Sequence, residues 1–232
     1  MRQFENKLRQ LGQPDYVRLN GSTYQMNLYG KYDNFRESCL SAEGLSSRLR
    51  FSLQIIDNYL RSVTEVYLTE HDTRYHRFLA ANYDFNITSS LFNSDHPLHQ
   101  DMTGLTFADE SFDLCISFED LEHIPDYKKA IQELYRVTRK KGAALLSTPF
   151  WVDKQKTVTR ARISDDGTVN HLLEPEYHGD PLRQEGILSF YDFGWDLLED
   201  FKRAGFSETS LVLGYDTTKL ILEQQLFILA IR

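Results

Sequence analysis

Cysteine is scarce: Cys39 and Cys115 are the only two in 232 residues. Two thiols cannot build a disulfide framework, and they are not paired as zinc-knuckle ligands would be. Cys115 lies inside an apolar run and reads as a buried, inert thiol. Long hydrophobic stretches are missing too. None approaches the roughly 18–20 apolar residues that a membrane helix needs, so no membrane partner is expected. The opening residues, MRQFENKLRQLGQ, hold no apolar core of a secretory signal. With so little cysteine, a cytoplasmic location follows. An excess of positive charge is also lacking: 26 Lys and Arg stand against 34 Asp and Glu, for a net charge of −8. No basic stripe is left to neutralise phosphates, so nucleic acid is not an expected partner. The densest basic cluster, Arg136, Arg139, Lys140 and Lys141, is expected at a helix end, where it complements the dipole. Repeats, low-complexity tracts and flexible linkers are absent.

What remains is a globular composition, 41% hydrophobic and 13% aromatic. A chain of this length buries roughly 70–75% of its unfolded surface, enough for one full core. Residues 1–42 are polar and rich in Tyr and Asn, and read as an N-terminal extension, helical over 2–11. Residues 43–232 read as the main domain. The spacing of Leu45, Leu49, Leu53, Ile56 and Leu60 predicts a helix over 43–61. An alternation follows: a strand at 66–68, a helix over 73–83, a strand at 87–92 and a strand at 112–118. Asp126 beside Pro125 reads as the N-cap of a helix whose apolar side is Tyr127, Ala130, Ile131, Leu134 and Val137, closed by Gly142 as its C′ residue. A buried strand over 143–148 comes next. After a long polar segment, 150–189, come a helix over 190–205 and two strands, 210–215 and 224–232, suited to an antiparallel pair. Strand, helix, strand, helix is the pattern of a parallel α/β sheet. The segment 150–189 reads as a lid or substrate-binding insertion.

The chemistry concentrates in residues 99–150. Phe118, Glu119, Asp120, Glu122 and His123 follow the carboxyl end of the 112–118 strand. Ligands of open α/β sheets bind outside such ends. Asp101, Leu105, Phe107, Asp109, Ser111, Phe112, Asp113, Ser117 and the run Leu121-Glu122-His123-Ile124-Pro125-Asp126, with Gly142 and Pro149 further on, form one pattern. In that pattern the chain resembles the small, type 11-like class I S-adenosylmethionine-dependent methyltransferases. The resemblance implies a Rossmann-like fold: a seven-stranded, mostly parallel sheet flanked by helices, with the last strand antiparallel. It implies S-adenosylmethionine as cofactor. Asp101 would bind the adenine amino group, Met102 would pack on the adenine, and Phe118 and Glu119 would line the methionine side.

The sequence departs from that family in two places. Where relatives carry a Gly-x-Gly-x-Gly loop, this chain has Thr69-Glu70-His71-Asp72-Thr73. Where relatives end the second strand with a ribose-binding acid, it has Ser89 and Ser90. Glu70, Thr73 at a helix start, and Ser90 are therefore the expected substitutes at the cofactor. Each has a plainer role: Asp101 as a turn cap, Glu70 as an acid at a helix start, Glu119 as a solvated loop residue. His178, within Pro175–Pro181, and His123 are the expected proton acceptors. The cluster His171, Glu174, Glu176, Tyr177, His178 and Asp180 matches no strong metal signature, and no metal is expected. Arg48 and Arg50 are candidates to hold an anionic group, and Trp151 and Trp195 to wall a pocket.

Read together, these residues imply methyl transfer to a small metabolite or sugar-type acceptor, with an oligomer left open. A scaffold of the same fold that has lost catalysis and acts as a partner or regulatory subunit is the alternative, and a metal-dependent hydrolase built on the 171–180 cluster a weaker third.

Overall fold

The computed structural model describes residues 5–6, 16–26, 34–60, 62–92, 95–179 and 186–232. Apart from Glu5 and Asn6, which are helical, the helix expected over 2–11 lies outside them, as do Asp180 and Pro181. The chain divides into two compact units, one of residues 1–63, 72–85 and 212–227, the other of residues 64–71, 86–211 and 228–232.

The first unit opens with a hairpin. Strands β1 (Tyr16–Leu19) and β2 (Ser22–Gln25) pair antiparallel around Asn20-Gly21. Both turn residues have positive φ, 50° and 84°, which suits Asn and Gly and matches the right-handed twist of the strands. Helix α1 (Ser47–Tyr59) starts where the Ser46 side chain accepts from the Leu49 N–H, and it buries Phe51, Ile55 and Ile56. Helix α2 (Arg74–Asn82) is capped by Thr73, whose side chain accepts from the His76 N–H, and buries Tyr75 and Leu79. Tyr24, Met26, Phe35, Cys39, Leu220 and Leu222 form its core. Arg48 and Arg50 are used structurally. Arg48 pairs with Glu37 at 2.7 Å, and Arg50 donates to the carbonyls of Cys39, Leu45 and Leu220. Neither is left to hold a substrate anion.

The second unit is built on a sheet. Strands β3 (Glu65–Leu68), β4 (Asn86–Ser89), β5 (Phe112–Phe118) and β6 (Thr138–Ser147) are parallel, with β3 between β4 and β5, and β6 on the far side of β5. Shorter pieces follow: β7 (Val158–Thr159), β8 (Ala161–Ile163), β9 (Val169–His171), β10 (Tyr177–His178), β11 (Ile187–Leu188) and β12 (Tyr191–Asp192). Strands β13 (Glu208–Asp216) and β14 (Ile221–Ile231) complete the order β13-β14-β6-β5-β3-β4, with β14 antiparallel to β6. Residues 212–227 of these two strands are counted with the first unit.

The sheet thus has six strands among the described residues, not the seven expected. Beyond β4 there is only an isolated parallel bridge between Leu91 and His99. Pro97, with no N–H to donate, and the turn at Asp101 keep this stretch from lengthening into a strand.

Largely apolar character, buried on both faces over 114–117, makes FDLCISF a central parallel strand. Helix α3 (Tyr127–Val137) begins as its sequence demands: the Asp126 side chain accepts from the Lys129 N–H, and Tyr127, Ala130, Ile131, Leu134 and Val137 are all buried. Its end differs from expectation. Thr138 stops the helix at Val137, its hydroxyl donating to the Leu134 carbonyl at 2.6 Å, and the chain enters β6 at once. Gly142 is therefore a strand residue. A Cβ there would stand 2.7 Å from the Asp113 carbonyl oxygen, so close approach is what requires glycine. Of the basic cluster only Arg136 is helical, and it clasps Glu133 and Asp109. Helix α4 (Asp196–Ala204) starts later than expected because 191–192 pair with β7. It ends at Gly205, whose φ of +120° disfavours any side chain. The faces of α3 and α4 meet the sheet in one core that includes Tyr67, Ile131, Leu134, Phe193, Leu197 and Phe201.

Candidate functional site

Parallel strands carry their carboxyl ends to one edge of a sheet, and there the second unit has a cavity of about 720 Å³. That volume is in the range of small-molecule sites. One wall is made by the ends of β3 and β5 with residues 100–103. The other is apolar and comes from Ile163, Val169, Ile187, Leu188 and Phe190.

The polar wall is tied together across strands. The Thr69 hydroxyl at the end of β3 donates to Asp120 Oδ2 at 2.6 Å, and the Ser117 hydroxyl of β5 donates to the same oxygen at 2.7 Å. Burial pushes the Asp120 carboxyl up to about 7 against the pull of those two hydroxyls, with the charges of Glu122 and Glu70 adding to the rise. Glu119 beside it holds a left-handed φ of +60°, a conformation of the kind that accumulates at binding sites. Tyr67 and Ser90 share a hydrogen bond of 2.9 Å. Asp101 Oδ1 accepts from both the N–H and the hydroxyl of Thr103 at 2.8 Å, capping a turn at the cavity wall. Met102 is buried there, 3.7 Å from the Ser117 hydroxyl.

At one end of the cavity lies a second cluster. Glu122 is fully buried, one carboxylate oxygen accepting from the Thr148 hydroxyl at 2.8 Å. His123 Nδ1 stands 2.8 Å from the Leu188 carbonyl oxygen. His178 lies edge-on to His123, with ring centres 5.0 Å apart, and its two nitrogens reach Glu122 at 3.4 Å and Glu176 at 3.3 Å. The Glu122 carboxylate, and behind it Glu176, raise the His178 pKa above its ordinary value, against partial burial.

Of the residues singled out from the sequence, Ser90, Asp101, Met102, Glu119 and His123 line the cavity together. Glu70, Phe118 and His178 do not line it. Glu70 acts on Asp120 through its charge, Phe118 is the last residue of β5, and His178 stands behind His123. Thr73 caps α2 in the first unit. Trp151 and Trp195 do not wall the cavity. Trp195 donates to the Val152 carbonyl at 2.8 Å, and Trp151 lies under the Lys154 ammonium. In the sequence, Asp120 is marked only as one of the acids after the strand and the 150–189 segment only as a whole; nothing there gives a role to Tyr67, Thr69 or Gln100, or to the individual apolar residues from 163 to 190. Asp120 carried a signal, a second acid directly after a parallel strand. The apolar group carried none.

Against known proteins, residues 58–146 match the family model described as "Methyltransferase domain". Uncharacterized methyltransferases of Mycobacterium sp. strains KMS and JLS are each 46% identical over 50 residues, 22% of this chain and 20% of theirs. The match thus spans about a fifth of the length of these curated relatives. Among solved structures, a Burkholderia thailandensis 1,6-didemethyltoxoflavin-N1-methyltransferase, with 1,6-didemethyltoxoflavin and S-adenosylhomocysteine bound, is 13% identical. It covers 80% of this chain and 78% of its own at a TM-score of 0.51, a likeness of fold alone. Among the described residues no helix is long and apolar enough to cross a membrane. Residues 58–146 thus match a methyltransferase domain, and the fold built around that stretch is similar to that of a solved methyltransferase.

Proposed function

We propose that the protein is an S-adenosylmethionine-dependent methyltransferase acting on a small metabolite or sugar-type acceptor. The observation that carries this reading is the cavity at the carboxyl ends of β3 and β5, where Asp101, Met102 and Glu119 share one wall. These residues fit the cofactor. Asp101 would accept from the adenine amino group, Met102 would pack on the ring, and the acids Glu119 and Asp120 would favour its cationic end. When bound, the cofactor supplies a methyl group on a sulfonium, an electrophile that needs no activation from the protein.

The chain's own work is then orientation, exclusion of water and removal of a proton. Ile163, Val169, Leu188 and Phe190 give the acceptor side an apolar wall. His123 donates from Nδ1 to Leu188, which leaves Nε2 able to take a proton from an acceptor hydroxyl or amine. His178, with its ring 5.0 Å from that of His123 and outside the cavity lining, would act by positioning His123 rather than on the acceptor itself. A cavity of about 720 Å³ and the acidic chain favour a small acceptor over a polymer.

Calorimetric titration of the purified protein with S-adenosylmethionine and S-adenosylhomocysteine, beside Asp101→Ala, tests this. Micromolar binding that weakens at least 10-fold in the variant is the expected result. No binding to the unaltered protein would instead favour a repurposed scaffold. The specific reason would be the glycine-free turn after β3, where Thr69 is engaged with Asp120.

A further inference from the structure

We infer that Glu122, His123 and His178 form a binding site for one divalent transition-metal ion of the zinc class. The chemistry of each donor is fixed by its other neighbour. Glu122 is fully buried, and its Oε2 is satisfied by Thr148, but its Oε1 accepts no hydrogen bond. A buried carboxylate oxygen left so is costly unless something positive meets it.

His123 Nδ1 faces a carbonyl oxygen, which can only accept, so the proton sits on Nδ1 and the lone pair on Nε2. His178 Nε2 faces Glu176, a carboxylate that also pairs with Arg160 at 3.1 Å. The His178 Nδ1 faces Glu122 in the same way, so an ion bound at Nδ1 would displace any proton there and meet its lone pair, leaving Nε2–H directed at Glu176. The two lone pairs are the atoms that face Glu122 Oε1, at 3.7 Å for His123 Nε2 and 3.4 Å for His178 Nδ1. All three donor atoms lie within 4.8 Å of one another.

Those spacings are close to what an ion requires. Zinc bonds of about 2.0–2.1 Å in a tetrahedron put neighbouring ligand atoms roughly 3.3–3.4 Å apart. The outer contacts have the usual form as well, one histidine steadied by a backbone carbonyl and the other by a carboxylate. Two imidazoles and one carboxylate suit zinc and its neighbours, and leave a fourth position open. Magnesium and calcium prefer all-oxygen sets and are poorly served here.

His123 also lines the large cavity, so an ion held here stands at its wall. There it would take an acceptor hydroxyl in the open position and lower its pKa so that its proton is released to water, replacing His123 as the agent that makes the hydroxyl reactive. That last role rests on the proposed methyl transfer. The metal site itself does not.

The test uses full-length protein treated with a chelator and dialysed, then titrated calorimetrically with Zn²⁺ and, as a control, Mg²⁺. One Zn²⁺ per chain with sub-micromolar affinity is expected, with no measurable Mg²⁺ binding. His178→Ala, at a partly exposed position and checked for folding by circular dichroism, should weaken Zn²⁺ binding at least 100-fold. Glu176→Gln should cost about 10- to 100-fold. Co²⁺ should give the intense visible absorption of a tetrahedral site in the unaltered protein and not in His178→Ala. Zn²⁺ binding that is absent, or unchanged in His178→Ala, would overturn the inference and leave a protonated His178 paired with Glu122. None of these readouts involves S-adenosylmethionine, so a failed cofactor titration would not decide them.

Discussion

The strand ends at 65–126 and the segment 150–192 face the same cavity, but they hold their side chains by different means. At the strand ends, polar groups are fixed by neighbours one strand away: Thr69 and Ser117 on Asp120, Tyr67 on Ser90, all within 2.6–2.9 Å. In 150–192 the strands are two or three residues long, and charged pairs do the work. Asp192 holds Lys154 and Arg160, Arg160 reaches Glu176, and Glu176 meets His178. The sheet gives the first region its geometry at almost no local cost. The second is ordered by its side chains and keeps Ile163, Val169, Leu172 and Tyr177 exposed. A fixed wall suits a ligand common to a whole fold. A wall assembled from a few side chains can be altered without disturbing the sheet, and is where an acceptor would be chosen.

The sharpest way to break this comparison is to separate catalysis from cofactor binding. His178→Ala should lower the methyl-transfer rate by about 10- to 100-fold, the usual cost of losing an outer partner that positions a reacting group, while cofactor affinity measured by calorimetry stays within about 2-fold. Asp101→Ala should do the reverse, raising the cofactor KM and sparing kcat. Equal effects of both variants on both quantities would mean the two walls are not functionally distinct. Leu134→Ala in turn removes a fully buried side chain of α3 that packs in the core behind the strand ends. It should cost about 2–5 kcal/mol, read from the midpoint of urea unfolding.

How far each region could be read in the sequence follows the same division. The strand 112–118 was legible to the residue because Phe112, Leu114, Cys115, Ile116 and Phe118 make a mostly apolar run that is buried on both faces. Helix α3 was legible at its start, where Asp126 caps it, and along its length through Tyr127, Ile131 and Leu134. Its end was not, since Thr138 turns the chain straight into β6 through a local hydrogen bond that no periodicity announces. The same limit explains the site. Asp101, Met102 and Glu119 follow strands whose order a family pattern implies. The importance of Asp120 depends on donors at positions 69 and 117, which only sheet pairing brings near each other. Glu122 and His178 are widely separated in sequence. They meet because β10 pairs with β11, and β11 carries the Leu188 carbonyl that receives His123. Two-residue strands have no period to read.

A third, smaller effect sharpens the claim that the sheet region stores its polar geometry between strands. Asp113 at the start of β5 accepts from the N–H groups of Thr64 and Glu65, the Thr64 hydroxyl and Arg139. Partial burial pushes its carboxyl up, yet these donors outweigh it and hold it at about 2, below its ordinary 3.8. A group with a depressed folded pKa contributes stability above its unfolded pKa and loses it as pH falls through the folded one. The contribution, at most about 2 kcal/mol, should therefore be complete above pH 4 and vanish between pH 4 and 2. Asp113→Asn should flatten that part of the stability–pH curve. An unchanged acid limb would mean that these donors gain nothing from the charge.

The smallest expected change is the most informative about the second region. Ile163 lies at the cavity wall but is 47% exposed, and β8 pairs only with β9, itself a three-residue strand. Ile163→Ala removes little buried area and opens no closed void, so stability should stay within about 0.5 kcal/mol. The same side chain faces the space assigned to the acceptor. Its loss should raise the acceptor KM while leaving cofactor affinity alone, because the cofactor's wall is held by bonds between strands that do not involve residue 163. Steady-state kinetics with the acceptor varied at saturating cofactor would read this directly. A fall in stability comparable to Leu134→Ala would show instead that the segment is part of the core, and that the two walls are built in the same way after all.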